Sequence, residues 1–349
     1  MTKKLLMCGN EACGEGAILA GCKFYAGYPI TPQNELTAYM AKRMYETGGS
    51  FIQAESELAA VNMVFGAAAA GARAMTSSSS PGVSLKQEGI SYLAACEIPA
   101  VIVNMQRGGP GLGNIGPSQA DYFQAVKGGG HGDYRLIVLA PASAQEMLDL
   151  TFLAFDLADK YRTPSFILGD GLLGQMMEPI TIPSKLQPKE YQKPWALTGC
   201  KGRKPNILRS LLLGDGALEE HNKKLQLKFA AIKDAEVHCQ CFNTKDADII
   251  IVAYGSVARI SKAAMEAARA KGIKVGLIRP ITLWPFPEKI IEAAARTAKK
   301  FLVVEMSAGQ MVEDVRLAVG DKAKVSFYGR MGGGVPDDKE ILREIETLI

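Results

Sequence analysis

The residue of this sequence best suited to chemistry is a glutamate at the start of a small, apolar helix. Glu57 opens a run to Gly71 that consists almost wholly of alanine and other small or apolar residues. A helix of this composition packs closely on a sheet. A lone carboxylate at its first turn can therefore be held in a dry cleft, the environment typical of catalytic acids and bases. The ordinary alternative is that Glu57 only complements the positive end of the helix dipole.

Three further segments carry residue types that bind ligands. Residues 76–82, the serine loop, offer hydroxyls and backbone amides to a polar heterocycle or an anion, although Ser79 or Ser80 can equally cap a following helix. Arg107 opens residues 107–114, the glycine loop. A guanidinium there can clamp a carboxylate, or it can be an ordinary surface side chain. Residues 28–32, the Tyr28 loop, have a sequence typical of a turn followed by a helix.

The sequence predicts that short apolar strands, alternating with helices, position these segments. We predict strands at 24–28, 51–54, 74–77, 100–105, 136–140 and 165–168, with helices at 11–22, 33–45, 57–71, 83–94 and 144–161. This alternation indicates an α/β fold with a parallel sheet covered by helices on both faces. Ligands of such folds bind beyond the carboxyl ends of the strands, where Glu57 and the three loops fall.

The rest of the chain is predicted to form a linker and a smaller α/β unit. Residues 178–246 are rich in proline and lysine and then read as a charged amphipathic helix over 217–235. From residue 248 strands and helices alternate again. We therefore predict domains at 1–177 and 247–349, joined by the linker 178–246.

Bulk properties exclude several classes of protein. The net charge of +4 is too weak to indicate nucleic-acid binding. No window is apolar for long enough to span a membrane. The apolar N-terminal stretch is interrupted by Gly9, Asn10 and Glu11, which is not typical of a signal peptide. We expect a cytoplasmic protein.

The cysteines favour a reducing compartment, because there are seven of them and they are scattered. Cys8, Cys13 and Cys22 fit neither common ferredoxin spacing, so small buried thiols are the better interpretation. His238 and the two cysteines at 239 and 241 could hold a metal only with distant partners. We predict no metal site in this chain.

Several of these segments resemble a known family. The run from Glu57 through Gly66 to Gly71 is similar to the pyrimidine-binding domain of thiamine diphosphate enzymes. The serine loop resembles their Thr-Ser-Gly-Pro-Gly turn, with Ser where the first Gly often stands. The Tyr28 loop and Arg107 resemble the substrate loops of 2-oxoacid:ferredoxin oxidoreductases. The likeness extends over nearly the whole chain through residues 53–70, 84–91, 110–121, 127–132, 174–176 and 305–311.

The resemblance is to the alpha subunit of this family, most of all to its branched-chain type, 3-methyl-2-oxobutanoate (2-ketoisovalerate):ferredoxin oxidoreductase. The subunit of the 2-oxoglutarate enzyme is the rival. The resemblance implies a pyrimidine-binding domain followed by a transketolase C-terminal-like domain. It implies oxidative decarboxylation of a 2-oxoacid to acyl-CoA and CO₂, with reduction of ferredoxin.

The resemblance also implies roles for individual residues. Glu57 would hydrogen-bond the aminopyrimidine of thiamine diphosphate and drive formation of its ylid. Thr31 would contact the oxoacid, and Arg107 would bind its carboxylate. The cofactor would further be contacted by Pro29, Ile30, Ser78, Ser79 and Gly82.

The diphosphate half of a thiamine site is not recognisable in the sequence. Residues 169–171 read Gly-Asp-Gly but have no asparagine at the required distance. Residues 214–216 also read Gly-Asp-Gly, with Asn243 suitably placed, but they lie in the linker. Thiamine diphosphate is thus expected to be shared with a beta subunit that brings Mg²⁺ and a [4Fe–4S] cluster. The family further implies a gamma subunit, a ferredoxin-like delta subunit, coenzyme A as co-substrate and a dimer of heteromers. The rival hypotheses are a non-oxidative thiamine enzyme and a catalytically silent scaffold subunit.

Overall fold

The computed structural model describes residues 3–183 and 186–349. Met1 and Thr2, which begin the first predicted domain, lie outside the described residues. Ser184 and Lys185 of the predicted linker also lie outside them. Within the described ranges, no helix combines the length and the apolar character needed to cross a bilayer.

The first part of the chain alternates strands and helices as predicted. Its elements are β1 (Lys3–Cys8), α1 (Gly9–Leu19), β2 (Phe24–Gly27), α2 (Asn34–Glu46), β3 (Ser50–Gln53), α3 (Glu57–Ala69), β4 (Ala74–Ser78), α4 (Ser80–Ala95), β5 (Val101–Gln106), a π-helical turn (Gln124–Gly128), β6 (Ile137–Leu139), α5 (Ala144–Tyr161), β7 (Ser165–Asp170), α6 (Gly171–Gln175) and β8 (Met177–Ile182).

A long helix then leads into the second unit. The elements of this part are α7 (Ala217–Ala235), β9 (Cys239–Phe242), β10 (Ile249–Val252), α8 (Gly255–Ala270), β11 (Val275–Pro280), β12 (Thr282–Trp284), α9 (Glu288–Ala294), β13 (Lys300–Glu305), α10 (Met311–Val319), a 3₁₀ turn (Gly320–Lys322), β14 (Lys324–Gly329) and α11 (Asp338–Glu346).

The first sheet has seven strands in the order β12-β6-β7-β5-β4-β2-β3, and all its pairs from β6 to β3 are parallel. Every residue of β4, β5 and β7 is buried. Burial of all residues requires cover on both faces, because successive side chains of a strand point to opposite sides. Helix α1 packs on α2 and α5, whereas α3 packs on α4. The predicted α/β architecture is confirmed.

Three short pairings depart from the predicted sheets. Strand β12 comes from the second unit, yet it pairs antiparallel with β6 of the first sheet. Strands β1 and β8 form a separate antiparallel pair. Strand β9 lies in the predicted linker and pairs antiparallel with β11. These pairings join residues far apart in sequence, which local patterns do not reveal.

The second sheet has the order β14-β13-β10-β11-β9. Alternate residues of β10 face two different cores: Ile250 and Val252 belong to the large core shared with the first unit, and Ile249 and Ile251 to a smaller core on the other face. Helices α8 and α11 pack together over this smaller core. The second unit is therefore fixed to the first by a shared core and by strand β12.

Candidate active site at the carboxyl edge of the first sheet

The predicted site segments follow four neighbouring strands. In the sheet order β5-β4-β2-β3, Arg107 follows β5, the serine loop closes β4, the Tyr28 loop follows β2 and Glu57 follows β3. Because the carboxyl ends of parallel strands meet at one edge, the fold brings these segments together.

Glu57 is held at the start of α3 by an ordinary helix cap. The hydroxyl of Ser56 accepts a hydrogen bond from the backbone N–H of Ala59 at 3.1 Å. Glu57 is only 6% exposed, and its carboxylate accepts no hydrogen bond from the described residues. A buried carboxylate without a protein partner is available to a ligand.

Gly82 allows the serine loop to approach this carboxylate. A methyl group in place of a Gly82 hydrogen would lie 2.4 Å from Glu57 Oε1 and 2.1 Å from Ser78 Oγ. No side chain fits such distances, so the close approach of Glu57 and Ser78 requires glycine here. Glu57, Ser78 and Gly82 therefore form one compact group.

The hydroxyls of Ser78 and Ser79 are both buried and have no partner within the described part of the chain. Ser79 occupies the N-cap position of α4, but its hydroxyl makes no capping bond. Instead, the backbone N–H of Ser80 donates to Asn104 Oδ1 at 3.0 Å. The predicted helix start is thus present, while its hydroxyls are left for another partner.

Arg107 is 8% exposed and is not an ordinary surface side chain. Its Nη1 donates to the carbonyl of Thr31 at 3.0 Å, and its Nη2 donates to the carbonyl of Leu112 at 2.9 Å. The buried Nε atom has no partner among the described residues. Arg107 and Thr31 are therefore adjacent, although the contact uses the main chain of Thr31, whose hydroxyl accepts from Asn34 Nδ2 at 3.2 Å.

The Tyr28 loop is held at its C-terminal end by hydrogen bonds, while Pro29 near its start is exposed. The backbone N–H of Gln33 donates to the carbonyl of Ile30 at 3.0 Å, and Asn10 Nδ2 donates to the carbonyl of Pro32 at 2.8 Å. Pro29 is exposed and Ile30 is half-buried. These two residues lie on the same sheet edge as Glu57, and their contact with a cofactor stays a prediction.

A polar group that no sequence pattern indicates joins the serine loop to the glycine loop. Ser80 Oγ donates to Asp121 Oδ2 at 2.5 Å and accepts from the backbone N–H of Arg107 at 3.0 Å. Asn104 Nδ2 also donates to Asp121 Oδ2, at 2.8 Å. Burial raises the pKa of the Asp121 carboxyl. No spacing pattern links these residues, because the fold alone brings residues 80, 104 and 121 together.

A second missed residue is Lys86 on α4. Its side chain is fully buried, and its ammonium donates to Thr76 Oγ1 and to the carbonyl of Ser77. Burial lowers its pKa to about 7, an effect opposed by the charge of Glu57. The only signal in the sequence is a lysine between Gly82 and Gly89 in a helix of mostly small and apolar residues.

The two Gly-Asp-Gly segments lie in different surroundings, one buried and hydrogen-bonded within the protein and the other exposed. Asp170 is buried, and its carboxylate accepts from Ser256 Oγ at 2.6 Å and from the backbone N–H of Leu173 at 3.0 Å. Residues 214–216 form an exposed turn before α7. Within residues 3–183 and 186–349, no three His, Cys, Asp or Glu side chains are grouped as metal ligands.

The cysteines are free thiols, and four of them are buried: Cys8, Cys13, Cys22 and Cys96. Burial raises the pKa of the Cys13 thiol to about 12. Cys239 and Cys241 lie two residues apart on β9, where Cys239 Sγ donates to the carbonyl of Gln240 at 3.7 Å and the neighbouring Cys239 thiol lowers the pKa of Cys241.

Comparison with known proteins identifies the family. A family model described as pyruvate flavodoxin/ferredoxin oxidoreductase, thiamine diP-binding, matches residues 15–238. A second, described as pyruvate:ferredoxin oxidoreductase core domain II, matches residues 247–341. The first match covers the sheet edge that carries Glu57, so this part of the chain is a thiamine diphosphate-binding domain.

Individual relatives match nearly the full length. Ketoisovalerate oxidoreductase subunit VorB of Methanothermobacter marburgensis is 53% identical over 97% of this chain and 96% of its own. 2-Oxoglutarate synthase subunit KorA of the same organism is 39% identical and covers 99% of both chains.

Solved structures agree with this assignment. The 2-oxoglutarate:ferredoxin oxidoreductase of Magnetococcus marinus, solved with 2-oxoglutarate, coenzyme A and succinyl-CoA bound, matches 99% of this chain with a TM-score of 0.88 and 30% identity. This chain spans 65% of that protein's chain. A split-gene transketolase, at 13% identity and a TM-score of 0.61, shares the fold. The chain therefore belongs to the 2-oxoacid:ferredoxin oxidoreductase family, as a subunit that carries its thiamine diphosphate-binding domain.

Proposed function

We propose that this chain is the alpha subunit of a thiamine diphosphate-dependent 2-oxoacid:ferredoxin oxidoreductase that acts on a branched-chain 2-oxoacid, 3-methyl-2-oxobutanoate. The reaction would give acyl-CoA and CO₂ and reduce ferredoxin. The observation that carries the proposal is the convergence of Glu57, two partnerless serine hydroxyls and Arg107 at one sheet edge.

The donor set of this edge fits the pyrimidine end of the cofactor. An aminopyrimidine offers ring nitrogens and an exocyclic amine, which match a carboxylate and hydroxyls left without protein partners. Gly82 has no side chain to block a planar ring. Ser78, Ser79 and Gly82 would hold the ring beside Glu57, with Pro29 and Ile30 against it from the Tyr28 loop.

The chain's own residues would bind the substrate and move a proton. When bound, thiamine diphosphate supplies the electron sink that lets a 2-oxoacid lose CO₂. Glu57 would hold the proton exchanged with a pyrimidine ring nitrogen. Arg107 would bind the substrate carboxylate through Nε, while its two Nη atoms stay fixed by the carbonyls of Thr31 and Leu112. The hydroxyl of Thr31 would contact the substrate carbonyl.

The composition of the glycine loop and the two residues after it favours a substrate with an apolar side chain. Residues 108–116 contain no charged residue, whereas Leu112 and Ile115 are 81% and 66% exposed beside Arg107. A second carboxylate, as in 2-oxoglutarate, would need another cation. The 53% identity to a ketoisovalerate oxidoreductase subunit also favours the branched-chain substrate. 2-Oxoglutarate is the alternative, supported by the 39% identity to a 2-oxoglutarate synthase subunit.

The remaining parts of the site would come from other subunits. A beta subunit would bring the diphosphate site, Mg²⁺ and a [4Fe–4S] cluster, and gamma and delta subunits would complete a dimer of heteromers. Coenzyme A would accept the acyl group. The free thiols support a reducing, cytoplasmic setting.

The test is a substrate panel on the purified complex, with reduction of ferredoxin and formation of acyl-CoA measured together. We expect the highest kcat/KM for 3-methyl-2-oxobutanoate. Preference for 2-oxoglutarate would overturn the substrate assignment. Decarboxylation without reduction of ferredoxin would favour a non-oxidative enzyme. Normal turnover by a Glu57→Gln complex would favour a silent scaffold subunit.

A further inference from the structure

Lys86 is a buried cation that the proposed mechanism does not use. Its side chain has no exposed surface, and its two hydrogen bonds go to Thr76 Oγ1 and the carbonyl of Ser77. Lysines are almost never fully buried unless they are paired, because removing an ammonium from water is costly. Across the described residues, no carboxylate forms a direct ion pair with Lys86.

The packing of two helices explains where this cation lies. Gly82, Lys86 and Gly89 are spaced i, i+4 and i+7, so they share one face of α4. This face packs on α3. A methyl group on Gly82 would lie 2.4 Å from Glu57 Oε1, and one on Gly89 would lie 2.5 Å from Val61 Cγ1. The glycines on either side of Lys86 thus let the helices approach closely, and Lys86 lies in the same interface as Glu57.

Lys86 and Glu57 influence each other through their charges. Burial lowers the pKa of Lys86 to about 7, and the charge of Glu57 is what opposes this shift. Attraction between two charges acts on both partners, so the ammonium stabilises negative charge on the Glu57 carboxylate. The ammonium also fixes Thr76 and Ser77 on the strand that leads to Ser78 and Ser79.

We propose that Lys86 is a positioning residue for Glu57, whose ammonium stabilises the charged carboxylate and holds the end of β4 in register with it. This inference rests on the proposed role of Glu57 in cofactor binding. It differs from a purely structural role, in which Lys86 would only supply two hydrogen bonds to the strand.

The test compares Lys86→Met and Lys86→Gln in the assembled complex, each alone and combined with Glu57→Gln. Methionine removes the charge and the hydrogen bonds, whereas glutamine keeps one donor group without charge. Three quantities are measured: kcat and KM for the 2-oxoacid, hydrogen–deuterium exchange at the thiazolium C2 of bound cofactor, and the melting temperature without added cofactor.

We expect both single variants to lower kcat and the exchange rate by about tenfold or more, with KM within about twofold, since each removes the positive charge that attracts the Glu57 carboxylate. The melting temperature of Lys86→Met should change by less than about 2 °C, because the loss of two hydrogen bonds to the end of β4 is offset by no longer burying an ammonium. In the Glu57→Gln background, Lys86→Met should cause no further loss.

Three outcomes would overturn the inference. One is normal activity of Lys86→Gln. Another is an equal fall in kcat when Lys86→Met is made in the wild-type and in the Glu57→Gln complex. The third is failure of both Lys86 variants to assemble, and each outcome indicates a hydrogen-bonding or folding role. The proposed function fails separately, because it is contradicted if Glu57→Gln alone keeps normal turnover and C2 exchange.

Discussion

Glu57 and Glu305 are both buried carboxylates near the carboxyl ends of parallel strands, yet their surroundings are opposite. Glu305 is completely buried, and its carboxylate accepts hydrogen bonds from the backbone N–H groups of Gln310, Met311 and Val312 and from Ser307 Oγ. Glu57 is nearly as buried and receives none from the described residues.

This difference in hydrogen bonding agrees with a structural role for Glu305 and with the ligand-binding role proposed for Glu57. Buried polar atoms almost always have hydrogen-bond partners, and the exceptions are informative. Glu305 is satisfied by the start of α10, and nearby Ser256 is satisfied by Asp170 of the first unit. The edge of the second sheet therefore lies closed against the first unit. At the edge of the first sheet, the hydroxyls of Ser78 and Ser79 have no partner among the described residues, and we propose that they and Glu57 bind a ligand.

The largest expected effect comes from the unsatisfied glutamate. Glu57→Gln keeps the shape of the side chain but cannot hold the exchanged proton. We expect kcat of the assembled complex to fall by about a thousandfold or more, equivalent to about 4 kcal/mol of activation free energy. The melting temperature should stay within about 2 °C, since no protein hydrogen bond is lost. A fall in stability with normal turnover would reverse the comparison.

The matched change at the satisfied glutamate should show the opposite result. Glu305→Gln turns one acceptor oxygen into a donor facing backbone N–H groups that also donate. We expect a loss of about 2 to 3 kcal/mol in the free energy of unfolding, measured by urea denaturation. The activity of the folded fraction should change less than about twofold, because all the groups that donate to the Glu305 carboxylate lie in the second unit. Loss of turnover without loss of stability would contradict this assignment.

Lys86 should make the free energy of unfolding depend on pH, which adds a further test of the buried groups around Glu57. Its pKa in the folded protein, about 7, lies below the ordinary value of 10.5, so the unfolded chain binds more protons between these two values. Stability should therefore rise with pH across this window, by at most about 1.4 kcal/mol per pH unit. Lys86→Met should remove this contribution. Because the charge of Glu57 opposes the pKa shift of Lys86, the same denaturation series on Glu57→Gln gives the control.

The smallest effect is expected at the free serine hydroxyls. Ser79→Ala removes a hydroxyl that makes no protein hydrogen bond, so the free energy of unfolding should change by less than about 0.5 kcal/mol. Affinity for thiamine diphosphate should fall by about fivefold to tenfold, the usual value of one hydrogen bond, in equilibrium titrations. Ser56→Ala is the control, because it should weaken the cap of α3 by about 1 kcal/mol.

Much of the fold followed from local patterns. The amphipathic spacing of the charged helix predicted residues 217–235, the bounds that α7 has. Strands β5 and β7 were recognisable because strands buried on both faces are rich in apolar residues. Strand β12 was not predicted, because its three residues gain their structure from β6, which lies well over a hundred residues earlier.

The site was predictable in part for the same reason. Loops that follow neighbouring parallel strands must meet, so the alternation of strands and helices alone predicts that Glu57, the serine loop and Arg107 lie together. Lys86 was not predicted as a site residue, because a lysine in a helix is ordinarily exposed. Its burial depends on how closely two glycines let α3 and α4 approach. The link through Asp121 likewise depends on tertiary contacts alone.

Strand β12 also limits how this protein can be divided. A fragment that ended before the second unit would leave β6 as an unpaired edge, and exposed edges of this kind recruit strands from other molecules. The two regions matched by the family models are therefore not independent domains joined only by a flexible linker. Exchanging the second unit between relatives would preserve the first sheet only if the incoming unit also supplied this closing strand.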